Sequence, residues 1–289
     1  WLPAAEKETN VISCLGGFME SNISMLRPRN LAGLLDETVT IYKSQFWRFL
    51  GVAFIVQAPV SLVSFVILEA LGQSLLTVII ALSLGIFGTL FTYGAIVFAV
   101  GQCYVVGRFD IRYCCAVAWW RVVSLMMLSI IVVPLLTIMV LLMVNDHYLV
   151  VTVASLLSVP AVALAIYWSV AIQALIVEGV RSVSALSRSF DLIRGSWWRI
   201  FGITLVLGLV SIGISIVVNI PFAVLSYAAG WDPKNGIGAI ISEFVSLVVV
   251  IITTPLLSIA STLLYYDLRV RREKYDLATL SREMGLVSA

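Results

Sequence analysis

Val177-Glu178-Gly179-Val180-Arg181-Ser182-Val183-Ser184-Ala185-Leu186-Ser187-Arg188-Ser189-Phe190-Asp191-Leu192-Ile193-Arg194-Gly195-Ser196-Trp197-Trp198-Arg199-Ile200-Phe201-Gly202 joins the end of one long apolar run to the start of another. Within it Val183, Leu186, Phe190, Ile193 and Trp197 recur at steps of three and four, one apolar stripe of a helix. Arg181 and Arg188 fall on the opposite face. A short helix divided in this way lies in a membrane interface with its apolar side down, rather than crossing the bilayer. Gly195 ends it, and Trp197-Trp198-Arg199 opens the next run.

Composition agrees with that setting. The 289 residues are 61% hydrophobic and only 12% charged, against about 25% charged in a soluble domain. Mean hydropathy is +1.06. Apolar runs longer than 18 residues recur, so an all-α, polytopic integral membrane protein is predicted. Six spans are expected, at about 46–68, 75–107, 121–144, 148–177, 199–228 and 237–266. Leu31, Leu34, Leu35, Thr38, Ile41 and Phe46 pattern a first amphipathic helix, with Asn30 as N-cap. Residues 108–118 pattern a second, with Asp110 as N-cap.

An aromatic-Trp-Arg triplet follows each amphipathic segment: Phe46-Trp47-Arg48, Trp119-Trp120-Arg121 and Trp197-Trp198-Arg199. Trp47, Trp120 and Trp198 stand 73 and 78 residues apart, although the chain has only eight tryptophans. The interface itself favours such residues, as belts and snorkelling cations, but does not dictate matched spacing. The pattern therefore predicts three repeats, 26–107, 108–178 and 179–268, each an interfacial helix plus a transmembrane hairpin.

Of 18 Lys and Arg, 17 lie in the N-terminal region, the two segments between hairpins, or the tail. The turns within hairpins carry only Lys234. Cations are retained on the cytoplasmic side, so both termini and the three interfacial helices are placed there, in the inner (cytoplasmic) membrane. Residues 1–25 are expected to be a flexible segment. Glu6 and Glu8 beside Lys7 argue against a secretory signal, and Val11-Ile12-Ser13-Cys14 matches a lipoprotein box only loosely. Met19 or Met25 is the expected native start.

The 177–202 stretch resembles the membrane-domain family first described beside glycerophosphodiester phosphodiesterases. Members carry an E-G after an apolar run, a helix with R-S-x-x-L-x-R-G, then W-R-x-x-G. Here these are Glu178-Gly179, Arg188-Ser189-Phe190-Asp191-Leu192-Ile193-Arg194-Gly195 and Trp198-Arg199-Ile200-Phe201-Gly202. The opening, from Leu26-Arg27-Pro28 through Leu34-Leu35-Asp36 to Tyr42 and Phe46-Trp47, is similar too. So is the end, Leu264-Tyr265-Tyr266-Asp267-Leu268-Arg269-Val270-Arg271-Arg272-Glu273-Lys274-Tyr275-Asp276-Leu277. The likeness spans about 26–280 and implies a polytopic membrane fold. It transfers no activity, because the soluble phosphodiesterase sometimes fused to this domain is not among these residues.

No catalytic, cofactor or metal site is expected. The single histidine, His147, sits beside Asp146 in a short turn. Cys14, Cys103, Cys114 and Cys115 show no C-x-x-C spacing. There is no phosphate-binding glycine loop, no H-E-x-x-H and no Ser/His/Asp set. Basic residues flank spans, which excludes nucleic acid as the expected partner and leaves the phospholipid bilayer. Trp47, Arg48, Trp120, Arg121, Trp198 and Arg199 are the expected interface residues. Arg269, Arg271, Arg272 and Lys274, in a basic tail over 269–289, suit anionic headgroups as well as a positive-inside anchor.

Intramembrane polar residues mark function by default because they are costly there: Gln102, Gln173, Glu178, Asn219 and Glu243. Glu178 is expected to pair with an arginine of the following helix, Arg181 being nearest. Pro59, Pro134, Pro160, Pro221 and Pro255 are read as interruptions. Such features suit a transport cavity, but interhelical hydrogen bonds and harmless kinks are the preferred reading. The resulting expectation is a non-enzymatic scaffold or accessory subunit that binds lipid, a partner membrane protein or a second copy. It would be a closed bundle with no cavity reaching Gln102 and Gln173. A transporter or lipid-handling protein is the alternative, and an intramembrane hydrolase the third reading.

Overall fold

The computed structural model describes residues 30–72, 74–106, 109–121, 160–180, 182–232 and 236–273, with Ser124, Met126, Met127 and Thr152 besides. Most of the expected third span, the first part of the fourth, residues 1–25, Arg108, Arg181, His147 and the tail from Lys274 lie outside the described residues. Among the described residues every regular element is a helix.

The elements are α1 (Leu31–Ser44), α2 (Phe46–Leu71), α3 (Leu75–Val106), α4 (Ile111–Trp120), α5 (Ala171–Val177), α6 (Ser182–Ile193), α7 (Trp197–Ala229) and α8 (Gly236–Glu273). Among the described residues five stretches are long and apolar enough to cross a membrane: Phe46–Leu71, Leu76–Tyr104, Pro160–Val177, Trp197–Ala229 and Gly236–Glu273. The chain is thus an all-α membrane protein by length and composition. The 38-residue α8 is about 57 Å long, well beyond a hydrocarbon core of about 30 Å, so one of its ends stands clear of it.

The organising element is α8, which touches α1, α2, α3, α5, α6 and α7. Its second half is buried almost without interruption from Ser258 to Arg269. Ser258, Ala260 and Thr262 are small, which lets neighbours approach closely. The Ser258 hydroxyl donates to the Tyr93 carbonyl of α3 at 3.3 Å. Between α2 and α3, Gly88 packs against Val60, where an added β-carbon would lie 3.0 Å from a Val60 methyl. The Gln57 amide donates to the Thr92 hydroxyl at 3.4 Å in the same seam.

Sequence and structure agree at several boundaries. Asp110 caps α4, its carboxylate accepting from the Arg112 N–H at 2.9 Å. Gly195 closes α6 at φ 90°, a conformation other residues avoid. Asn30 holds the cap position of α1, but its side chain makes no capping bond. Prolines do not break the helices: α2, α7 and α8 run through Pro59, Pro221 and Pro255. Each removes a single ladder bond, and near Pro255 the Tyr42 hydroxyl reaches the Ile252 carbonyl at 3.2 Å.

Two features add detail to the expected helices. The apolar run ending at Val177 is not one continuous helix, because Trp168–Val170 form turns. There the Ala171 N–H bonds back to Trp168, so the Tyr167 carbonyl has no helical donor from that residue. The Ser189 hydroxyl of α6 supplies one at 2.7 Å. The side of α6 that carries Ser189 faces the protein. Its innermost line is Ala185, Ser189 and Leu192, with Leu186 and Ile193 beside it, whereas Val183 and Phe190 face outward. The residues nearest the protein are partly small and polar, because close approach matters more there than bulk.

Candidate functional site

Glu178 ends α5, and Gly179 follows at φ 71°, which reverses the chain. A side chain at Gly179 would be strained and would also press on the Arg121 guanidinium, 3.2 Å from an added β-carbon. The reversal sends α6 back past α5. Arg188, ten residues on, therefore meets Glu178, its Nε lying 3.0 Å from both carboxylate oxygens. Arg181, the nearest arginine in sequence, lies outside the described residues.

The last turns of α8 complete the circuit. The Tyr265 hydroxyl donates to Glu178 Oε1 at 2.7 Å. Arg269 Nε lies 3.7 Å from the same carboxylate and 2.9 Å from Glu273 Oε2. Arg188 also donates to Glu273. The loop Glu178–Arg188–Glu273–Arg269 thus holds two carboxylates and two guanidiniums. Arg269 is only 6% exposed and sits above the Tyr265 ring at 5.7 Å, so its charge needs these partners. Burial works against the Arg188 charge, but the hydrogen bonds and charges of Glu178 and Glu273 outweigh it and raise its pKa.

A second cluster adjoins it along α8. The Asp267 carboxylate, 2% exposed, accepts from Arg199 Nη1 at 2.7 Å and from Arg271 Nε at 3.0 and 3.1 Å. Two helix C-termini are closed by arginines from elsewhere in the chain. Arg121 donates to the Leu175 carbonyl of α5, and Arg272 to the Asp191 carbonyl of α6 at 3.0 Å. Each places a cation at the negative end of a helix dipole. In α1, Glu37 accepts from the Tyr104 hydroxyl at 2.5 Å, and the Tyr104 ring stands edge-on to Tyr266.

Most of the tail arginines expected to suit lipid headgroups are therefore engaged with the protein: Arg269, Arg271 and Arg272, while Lys274 lies outside the described residues. Arg199 and Arg121 are likewise engaged, and Arg48 donates to Gln45 Oε1 at 3.1 Å. The tryptophans of the three triplets behave differently. Trp47, Trp120 and Trp198 are 81%, 86% and 78% exposed.

The intramembrane polar residues are not brought together. Gln102 is buried and accepts from the Cys114 thiol at 3.3 Å. Gln173 is buried and donates to the Ser261 hydroxyl at 2.7 Å, its Oε1 lacking a partner among the described residues. Asn219 is exposed and bonds the Ser215 carbonyl of its own helix at 2.8 Å. Glu243 lines an open groove of about 580 Å³ between α2, α3 and the first half of α8. Gln57, Ser61, Ser64 and Thr89 also line it, in a mainly apolar wall, and neither Gln102 nor Gln173 does.

Burial raises the thiol pKa of Cys114 and Cys115, so both stay protonated at neutral pH. Among the described residues no cluster of His, Cys, Asp and Glu could hold a metal ion. Asp267, Tyr265 and Glu273 were not singled out as individual site residues, yet the spacing of Asp267 to Arg271 and Arg269 to Glu273 at i,i+4 is a readable helix-surface signal. Gln57 had no such signal beyond its polarity within an apolar run. Compared with protein-family models, with curated proteins and with solved structures, the chain matches none.

Proposed function

We propose that this chain is a membrane scaffold or accessory subunit that performs no chemistry and binds lipid or a partner membrane protein. The carrying observation is the closed arginine–carboxylate network. It ties α5, α6, α7 and α8 together at one end, and leaves its buried charges matched rather than available to a substrate. Long apolar faces remain outside, on α7 at Leu205, Leu209, Ile212, Ile216 and Val217. A bilayer or a partner helix would cover them.

The same reading places six spans in the inner membrane as three hairpin repeats, with both termini and the short helices cytoplasmic. Its support is that α1, α4 and α6 each precede an outward-facing tryptophan. It also assigns the chain to the glycerophosphodiester phosphodiesterase membrane-domain-like family. Glu178, Arg188, Arg199, Tyr265, Asp267 and Arg269, drawn from the separate motifs of that resemblance, meet at one end of the bundle. In a chain stripped of native cysteines, a membrane-impermeant maleimide should label Asp146→Cys and Asp232→Cys from outside. Ser187→Cys and Tyr275→Cys should react only after permeabilisation. Outside labelling of position 275 would end the six-span topology.

Function is tested by purification in mild detergent and by reconstitution. A membrane protein or lipid retained in fixed ratio is the expected result, with no solute flux in liposomes. A lipid-handling role is the second reading, favoured by the groove beside Glu243. Solute uptake abolished by Gln173→Leu, in a variant that still folds, would replace the scaffold with a transporter.

A further inference from the structure

The groove carries an uncompensated charge. Glu243 is the eighth residue of α8, and it lines the groove together with Ser61 of α2. Among the described residues no cation forms an ion pair with it, whereas Glu178, Asp267 and Glu273 each hold at least one arginine. It lies 22 residues, or about 33 Å along α8, from Tyr265 and the arginine network. That separation matches a hydrocarbon thickness of about 30 Å, so the two sites belong to opposite membrane faces. A half-buried carboxylate in an apolar groove without a counter-charge is costly, and such residues mark function.

We propose that the groove binds a hydrophobic primary amine, an amphiphile with one ammonium head and an apolar tail. The inference rests on the lipid-handling reading and names its ligand class. An ammonium needs acceptors, and Glu243 and Ser61 line the groove, with Ser64 beside them, whose buried Oγ has no partner among the described residues. Ser61 and Ser64 lie three apart on one face of α2. No cation is among the lining residues, so a phosphate or sulfate head would meet negative charge with nothing to offset it. Among the described residues this disfavours anionic lipids, and zwitterionic ones too, whose phosphate would follow the amine inward. Leu68, Leu82 and Ile86 offer apolar wall to a tail. The volume, about 580 Å³, falls in the range of about 300–1,000 Å³ of small-molecule sites. Beside Leu68, Glu69 is exposed and adds negative charge at that end of α2.

The test is equilibrium binding of radiolabelled hexadecylamine to the full chain in phosphatidylcholine nanodiscs. Glu243→Gln should weaken binding about tenfold or more, as expected for losing a charge-assisted bond, while melting no earlier than the parent. Leu82→Trp, which fills the groove and keeps the carboxylate, should also remove binding. Hexadecyl sulfate should fail to compete, and the trimethylammonium analogue, which lacks N–H donors, should compete only weakly. Hexadecanol displacing the amine as well as unlabelled amine does would overturn the amine assignment and leave an apolar-chain site. Unchanged binding in both variants would overturn the groove site altogether.

Discussion

Glu178→Ala is expected to lower stability by about 3 kcal/mol, the cost of removing one partner from a buried charge cluster. Glu178 is 14% exposed and serves Arg188, Arg269 and the Tyr265 hydroxyl together. Without it Arg269, the most deeply buried guanidinium of the group, loses one of its carboxylates and keeps Glu273. Arg188→Ala should cost less, about 1–2 kcal/mol, because that side chain is partly exposed and leaves Glu178 with Arg269. The double variant should be more stable than the sum of the two losses requires, by about 1 kcal/mol. Glu178→Gln retains an acceptor for Tyr265 and should fall between the parent and alanine. Denaturant midpoints in one detergent measure all four. Additivity within about 0.3 kcal/mol would show that the network is a coincidence of geometry rather than a coupled unit.

That cluster also marks the border of what periodicity and composition can reveal. The long runs from Phe46, Leu75, Trp197 and Gly236 are legible because a helix crossing lipid must be apolar for its whole length. The caps are legible where a local residue does the work, as Asp110 and Gly195 do. Glu178 is legible as a costly residue awaiting an arginine, but the choice of Arg188 depends on the reversal at Gly179 and the packing of α6 on α5. Nearness in sequence carries no information about that. The turns at Trp168–Val170 are hidden for the same reason: they exchange helical bonds for a tertiary one from Ser189, and no local residue announces it. Asp267 and Arg199 are 68 residues apart, joined only because α7 and α8 pack together. The groove escapes notice because its polar members are split between α2, which carries Gln57 and Ser61, and α8, which carries Glu243, each in an otherwise apolar run.

Phe190→Asp should be the other severely damaging change, and its comparison with Phe190→Ala isolates the membrane. The Phe190 ring stacks on Tyr167 at 4.5 Å, and its remaining surface points out of the protein. Alanine removes the stack and the buried part of the ring, worth about 1.5–3 kcal/mol in either surrounding. Aspartate removes the same contacts and adds a charge where Phe190 now faces outward. In water that charge is nearly free. At the edge of a hydrocarbon layer it should cost roughly 1–3 kcal/mol more. Ser187→Asp, on an exposed position of the same helix, should stay within about 0.5 kcal/mol of the parent. Folded yields and melting midpoints of the three variants in bilayer nanodiscs decide the matter. If aspartate at 190 costs no more than alanine, the outer edge of α6 faces water, and the exposed Val183 and Phe190 are not a membrane seat. If the excess appears in nanodiscs and shrinks in small polar detergent micelles, the lipid itself is the surface on which α6 rests.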